Sequence, residues 1–401
     1  MKIELPTGKI HCKMPAMYPR TLELPGHSFF LFGPRSTGKT TWLRDRLGDA
    51  LWFNLLVDRD YLPLLGSSDL FRGAVEASPA GRWIVIDEVQ RIPGLLRQVH
   101  DLISLYGDRY FFALSGSSAR KLKRMDVDLL AGRVIERRMF PLTSRELGFP
   151  VDFIRLLSYG MLPVIHQKPD IAVDLLEAYA GTYLREEIQQ EALVKDLGSF
   201  TRFLRIAALM NGQIANTLGI ARDAGVARST VQRYFDTLVD TLVGVWIPGW
   251  QSRSKVREAV RPKFYFFDSG VVRTLSNRIR EPLSDLEKGP LLETFVLHEI
   301  RSAIAYLNNG GEISYWRTPA GVEIDFVWSR GDTAVAIEVK SAERWQRSYS
   351  SALRRALDEK MISRAFGVYL GRIALREGGA QIYPVGDFLK RLWAGEILSS
   401  P

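Results

Sequence analysis

Two short stretches of this 401-residue sequence carry side chains at spacings that suit nucleotide chemistry. The first is Gly33-Pro34-Arg35-Ser36-Thr37-Gly38-Lys39-Thr40, followed by Thr41, and it fits the G-x-x-x-x-G-K-[ST] pattern of a phosphate-binding loop. It follows the apolar run FFLF and opens the helical run TTWLRDRL, the context the pattern needs. The glycines let backbone N–H groups curl around phosphates at a helix N-terminus, where the dipole also favours anions. Lys39 is expected to reach the β- and γ-phosphates, and the Thr40 hydroxyl to ligate Mg2+. ATP and Mg2+ are therefore the expected cofactors. The second stretch, WIVIDEVQ, reads as a buried strand ending in Asp87-Glu88. Asp87 is expected to hold Mg2+ through water and Glu88 to polarise the attacking water.

A third set lies near the C-terminus. In GVEIDFVW, Val322, Ile324 and Phe326 alternate with Glu323 and Asp325; in AVAIEVK, Val335, Ile337 and Val339 alternate with Glu338 and Lys340. A period of two puts Asp325 on the polar face of one strand, and Glu338 with Lys340 on that of the other. This is the arrangement of a PD-(D/E)xK nuclease core, without the usual Pro before the aspartate. Asp325 and Glu338 are candidate metal ligands and Lys340 a candidate for orienting water. The helix LLETFVLHEIRSAI offers Glu293 or Glu299 as the accessory carboxylate that such nuclease-like domains suggest.

The elements that must position these residues follow from patterning. Apolar runs at 29–32, 51–57, 83–87, 110–116 and 134–140 alternate with helical stretches, which predicts a parallel sheet with helices on both faces. From 151 to 198 the pattern is helical, with Leu175, Leu176, Tyr179 and Tyr183 on one stripe. The run from Asn216 predicts a helix, a tight turn at Gly225 and a second helix capped by Ser229. The inner stripe of that second helix is Val231, Tyr234, Phe235, Leu238 and Val239. Arg222, Arg228, Thr230, Gln232 and Arg233 are left for an outer face suited to a DNA major groove, and the basic β-rich segment with Arg253, Lys255, Arg257, Arg261 and Lys263 suits a wing. A second basic cluster runs from Arg120 through Lys121, Lys123 and Arg124 to Arg133, Arg137 and Arg138. The formal charge of +9 is modest for this length, so these clusters matter more than the total. The polar stretch 277–289 reads as a linker, and helix 291–306, strands 313–317, 322–328 and 333–340, helix 349–360 and strand 365–370 follow it. The 46% hydrophobic and 25% charged composition is that of a soluble globular chain. There is no signal-like or membrane-spanning run. Cys12 is the only cysteine and the five His lack metal spacing, so a cytoplasmic location without disulfides is expected.

GPRSTGKTT, IDEVQRIP, LSGSSARKL and LAGR together resemble the prokaryotic AAA-type ATPases of the archaeal-ATPase-like clade, often fused to a nuclease-like domain of unknown function. The resemblance implies a sensor role for Ser115. It also implies that Arg133 is offered to a γ-phosphate across a subunit boundary of a homo-oligomer, with a ring as one expected form, and Arg185 is a weaker candidate for a second sensor arginine. The expected organisation is α/β: an ATPase core (1–150), a helical lid (151–198), a winged helix-turn-helix (199–276) and a PD-(D/E)xK nuclease-like domain (277–401). The expected function is Mg2+-dependent ATP hydrolysis coupled to DNA binding and processing. The alternatives are a nucleotide-gated DNA-binding oligomer whose nuclease-like domain is silent, and a slow nucleotide switch.

Overall fold

The apolar runs of the N-terminal third assemble side by side. In the computed structural model, which describes residues 18–67, 69–117, 130–183, 196–251 and 261–399, five strands pair in parallel in the order β2-β3-β4-β1-β5. They are β1 (Phe29–Phe32), β2 (Leu51–Asn54), β3 (Trp83–Asp87), β4 (Phe111–Gly116) and β5 (Ile135–Arg138). Helices α1 (Lys39–Arg46), α2 (Asp58–Gly66), α3 (Asp69–Glu76) and α4 (Leu95–Tyr106) connect the first four. Alternate residues serve two cores. Phe29, Leu31, Val85 and Ala113 point to one; Phe30, Phe32, Ile84, Ile86, Phe112 and Leu114 point to the other. Burial on both faces explains why these strands read as unbroken apolar runs, and each large side chain so buried contributes about 1.5–3 kcal/mol. The strand expected over 51–57 stops at Asn54. There the Asp60 carboxylate accepts from the Asn54 N–H (3.0 Å) and the next residues turn into α2.

Four short helices follow: α5 (Ser144–Leu147), α6 (Phe153–Tyr159), α7 (Pro163–Gln167) and α8 (Ala172–Ala178). Next comes a three-helix module of α9 (Leu197–Leu209), α10 (Thr217–Ala224) and α11 (Arg228–Asp240), closed by the antiparallel hairpin β6 (Gly244–Ile247) and β7 (Lys263–Phe266). Gly225 ends α10 in the left-handed region (φ 69°). Val231, Tyr234, Phe235 and Leu238 are buried as the stripe predicted, and Val239 is half-buried. The expected cap is corrected: extended Ala227 precedes α11, so Ser229 sits inside the first turn, where its neighbours are already helical.

The linker expected at 277–289 is also corrected. α12 (Ser269–Leu275) carries Arg273, whose buried guanidinium donates to the carbonyls of Arg278 (2.8 Å) and Glu281 (2.6 Å) and to Glu287 (3.2 Å). One rigid five-donor group thus pins the segment down, and α13 (Asp285–Tyr306) begins within it. The C-terminal part is a six-stranded sheet in the order β12-β13-β11-β10-β9-β8. It contains β8 (Glu312–Arg317), β9 (Glu323–Arg330), β10 (Thr333–Lys340), β11 (Arg364–Tyr369), β12 (Leu375–Glu377) and β13 (Ala380–Pro384), with α14 (Ser351–Asp358) and α15 (Val385–Trp393). The last two strands and α15 were not anticipated. α13 ties this part to the first. His298 pairs with the Leu142 carbonyl (2.8 Å), and the Tyr306 hydroxyl accepts from the Phe140 N–H (3.0 Å).

Candidate functional site

The loop after β1 has the shape its residues foretold. A Cβ at Gly33 would stand 2.3 Å from the Met139 carbonyl oxygen, so only glycine passes there, and Gly38 takes φ 91°. Ser36, exposed at the crest, also has positive φ (59°). Thr37 donates to the Pro34 carbonyl (2.7 Å), and buried Lys39 turns its ammonium onto the carbonyls of Gly33 (2.8 Å) and Pro34 (3.2 Å). Arg35 lies half-exposed beside them. Exposed Thr41 lines a cavity of about 300 Å3 beside the loop, walled by Tyr18, Arg20, Trp42, Pro163 and Gln167. Its size and mixed lining suit a nucleobase.

β3 and β4 deliver the acidic end. The Thr40 hydroxyl donates to Asp87 Oδ2 (2.7 Å), the Ser115 hydroxyl donates to Asp87 Oδ1, and Ser115 in turn accepts from the Glu88 N–H (3.2 Å). Thr40, Asp87, Ser115 and Glu88 therefore form one connected chain. Glu88 sits in the left-handed region (φ 59°), a conformation costing a non-glycine residue on the order of 1 kcal/mol and concentrated at functional sites. Its carboxylate accepts from Ser117 (3.2 Å) and from Gln90, two residues the sequence reading passed over.

Arg20 was missed as well. Its guanidinium lies behind the loop, donating to the Thr37 carbonyl (2.6 Å), the Phe140 carbonyl (2.6 Å) and Glu146 (3.1 Å), with the Tyr306 hydroxyl 3.4 Å away. Burial alone would lower its pKa, but Tyr306 and Glu146 raise it beyond its ordinary value. No local pattern marks this residue, because its partners lie 17 to 286 positions away.

Arg133 is exposed just before β5. Ile135 pairs with Phe29 at the start of β1, whereas the loop leaves the far end of β1. Arg133 is thus separated from its own loop by roughly 10 Å or more of strand. Arg185 and the basic residues Arg120, Lys121, Lys123, Arg124, Arg253, Lys255 and Arg257 lie outside the described residues. On α11, Arg228, Gln232 and Arg233 are exposed and Thr230 half-exposed. They bond locally: Arg228 to Thr217 (3.2 Å), Gln232 to Asp236 (3.1 Å) and Arg233 to Thr230 (3.2 Å).

The C-terminal constellation is a packed cluster. Asp325 and Glu338 are both buried. Asp325 Oδ2 accepts from the Val339 N–H (2.8 Å), Glu338 Oε2 from the Asp325 N–H (3.4 Å), and Lys340 pairs with Glu338 and with Asp325 (3.7 Å). Burial and the Asp325 charge push the Glu338 carboxyl well above its ordinary range. Strict alternation fails here. Two steps along β8 (Ser314 to Trp316) match three along β9 (Val327 to Ile324), so β9 carries an extra residue at Asp325–Phe326. Ile324 and Phe326, expected on one face, consequently enter different cores. Such bulges re-aim side chains. Of the two candidate accessory carboxylates, Glu293 lies toward the pair: its carboxyl is pushed up by burial and by Asp325, and it accepts from the Tyr265 hydroxyl (2.8 Å). Glu299 is the correction. It is fully buried at the seam with the first domain, accepting from Ser144 N–H (2.7 Å), Ser144 Oγ (3.0 Å) and Trp393 Nε1 (2.7 Å). Among the described residues no group of three or more His, Cys, Asp or Glu side chains is gathered to hold a metal ion. The expected triad of Glu293, Asp325 and Glu338 therefore does not converge as a ligand set. Among the described residues no helix is long and apolar enough to cross a membrane.

Residues 26–148 match the family model of the AAA domain. Residues 151–281 and 288–388 match models described as domains of unknown function (DUF8612 and DUF4143). An uncharacterized protein of Mycobacterium tuberculosis is 26% identical over 416 residues, covering 100% of this chain and 88% of the relative. An uncharacterized protein of Haemophilus influenzae is 24% identical over 276 residues, 64% of this chain and 65% of the relative. Among solved structures, a RuvB variant of Thermotoga maritima is 16% identical and covers 55% of this chain and 82% of that one, with a TM-score of 0.26. Cdc6p of Pyrobaculum aerophilum is 14% identical, at 66% and 91% coverage, with a TM-score of 0.23.

Proposed function

We propose that this chain hydrolyses ATP with Mg2+ at the loop Gly33–Thr41, and that the three-helix module engages DNA. The observation that carries the first part is the connected chain Thr40–Asp87–Ser115–Glu88 beside a loop whose Gly33 admits no side chain. Bound Mg2+ supplies charge for the developing phosphate anion. Lys39 exchanges the loop carbonyls for phosphate oxygens, Thr40 and Asp87 hold the ion's side of the pocket, and Glu88 takes the proton of the attacking water. Ser115 fixes Asp87 and the Glu88 backbone together. Arg133, set at the opposite end of β1 from its own loop, serves the pocket of a neighbouring copy in a homo-oligomer.

The module reads as a winged helix-turn-helix: α10 and α11 about a glycine turn, then the β6–β7 hairpin. Arg228, Thr230, Gln232 and Arg233 give α11 a polar outer face for base edges and phosphates. Asp325, Glu338 and Lys340 support a PD-(D/E)xK reading of the C-terminal part. Their packing as an ion-paired cluster around Lys340 favours a domain that is silent toward DNA in this state. The full chain should be given Mg2+, ATP and linear, single-stranded or branched DNA, with phosphate release and cleavage followed together. Phosphate release, DNA affinity that falls steeply with salt and no nicking are expected. No phosphate release on any substrate overturns the ATPase reading, and salt-insensitive or absent DNA binding overturns the second part.

A further inference from the structure

A strand from outside the C-terminal domain packs beside its acidic pair, against Glu293, Glu323 and Phe326. β7 belongs to the three-helix module, and Lys263 at its start is buried, ion-paired with Glu323 and 5.2 Å from the centroid of the Tyr315 ring. Lys263 shares a cavity of about 380 Å3 with Glu293, Glu323 and Arg317. Two residues on, and so on the same strand face, Tyr265 donates to Glu293 (2.8 Å) and packs its ring against Phe326 (centroids 5.9 Å apart). The strand is held in this register. Asn211 accepts from the Phe266 N–H (2.8 Å) and donates to Thr294 (2.7 Å), the neighbour of Glu293, while the Tyr315 hydroxyl donates to the Arg261 carbonyl (2.5 Å).

An ammonium buried this deeply is costly unless anions surround it. Burial lowers the proton affinity of Lys263, yet Glu293, Asp325 and Glu323 together raise it above the ordinary lysine value. Buried carboxylates likewise need a cation, and a divalent ion would compete for the same oxygens. We propose that Lys263 is a second cation of this acidic site, entering beside Glu293 and Glu323 while Lys340 holds Asp325 and Glu338. With Tyr265 on Glu293, it fastens the three-helix module to the C-terminal domain and keeps divalent metal off Asp325, Glu338 and Glu293. The proposal rests on reading Asp325 and Glu338 as a nuclease-like pair. On this account Tyr265 holds Glu293 while Lys263 holds the neighbouring Glu323. Metal loading then requires β7 to withdraw, so docking of the module and occupation by metal exclude each other.

Mn2+ titration of the full chain without nucleotide, followed by electron paramagnetic resonance, tests this. Wild type should bind weakly and Lys263→Gln at least about tenfold more tightly, as expected when a buried competing charge is removed. Adding Asp325→Asn should abolish the gain, and Lys263→Arg should behave as wild type. If wild type and Lys263→Gln bind equally tightly and both lose the ion with Asp325→Asn, the metal-site reading stands and the Lys263 proposal falls. If neither binds while melting normally, the metal-site reading itself fails and takes the proposal with it. Should Lys263→Gln not fold, Tyr265→Phe removes only the hydroxyl on Glu293. A smaller gain in Mn2+ affinity supports the proposal, and an unchanged affinity overturns it.

Discussion

Asp87-Glu88 and Asp325/Glu338 are both carboxylate pairs delivered by strands, yet they are satisfied in opposite ways. Asp87 is held by the hydroxyls of Thr40 and Ser115, and Glu88 by Ser117 and Gln90. All four of these donors are neutral, so they orient the carboxylates without themselves adding positive charge. Asp325 and Glu338 instead share the ammonium of Lys340, with Lys263 facing the same cluster. On the proposed reading the first pair receives its cation with a nucleotide, whereas the second is paired with lysine side chains of the protein. A motif identifies the side chains, whereas the charge of their donors decides whether the site is open.

One helix spans the two. Glu293 of α13 lies toward the second pair and Tyr306 of the same helix meets Arg20 behind the phosphate loop. Thirteen residues at about 1.5 Å each separate them by roughly 20 Å. The largest expected effect falls at the nucleotide end. Arg20→Ala leaves Glu146 buried without its cation (Arg20 and Glu146 side chains are 7% and 1% exposed) and frees the Thr37 carbonyl. Loss of one member of a buried pair costs on the order of 3–5 kcal/mol. Denaturant unfolding should show this, together with weakened ATP binding. An unchanged midpoint would remove Arg20 from the support of the loop.

A smaller, pH-dependent effect belongs to the middle of α13. Burial pushes Glu299 up from 4.5 to about 7, against the hydrogen bonds from Ser144 and Trp393. Its folded value is the higher one, so its stabilising contribution is complete below 4.5 and is lost as the pH rises through about 7. Its neighbour His298 has the opposite sign. Burial lowers it from 6.5 to about 4, so its contribution is present above 6.5 and lost as the pH falls through about 4. Glu299→Gln removes only the first dependence. Relative to wild type, the variant should therefore gain stability between about pH 5 and about pH 8, on the order of 2 kcal/mol. Thermal melts across that range check it, and parallel curves for the two proteins would contradict it.

The glycine loop and its acidic strand were legible because their parts are local. Gly33, Gly38, Lys39 and Thr40 lie within eight positions, and Asp87-Glu88 ends a strand that announces itself by apolar residues. The buried stripe of α11 was legible for the same reason. What stayed hidden depends on contacts distant in sequence. Arg20 finds Tyr306, Arg273 turns a polar stretch into packed chain, and Lys263 looks like one more basic residue until β7 meets β9's neighbours. Glu293 and Glu299 are equally plausible on paper because both lie on α13. Only the seam with Ser144 and Trp393 separates them. The extra residue in β9 defeats any strict period of two.

The contrast between the two carboxylate pairs is tested most directly by phosphate release from Mg2+·ATP in wild type, Glu88→Gln and Asp325→Asn side by side. Glu88→Gln should keep nucleotide binding and lose turnover by about 10²–10⁴-fold, the range for a positioned general base, while Asp325→Asn turns over like wild type. Undiminished turnover in Glu88→Gln, or an equal loss in Asp325→Asn, would contradict the account.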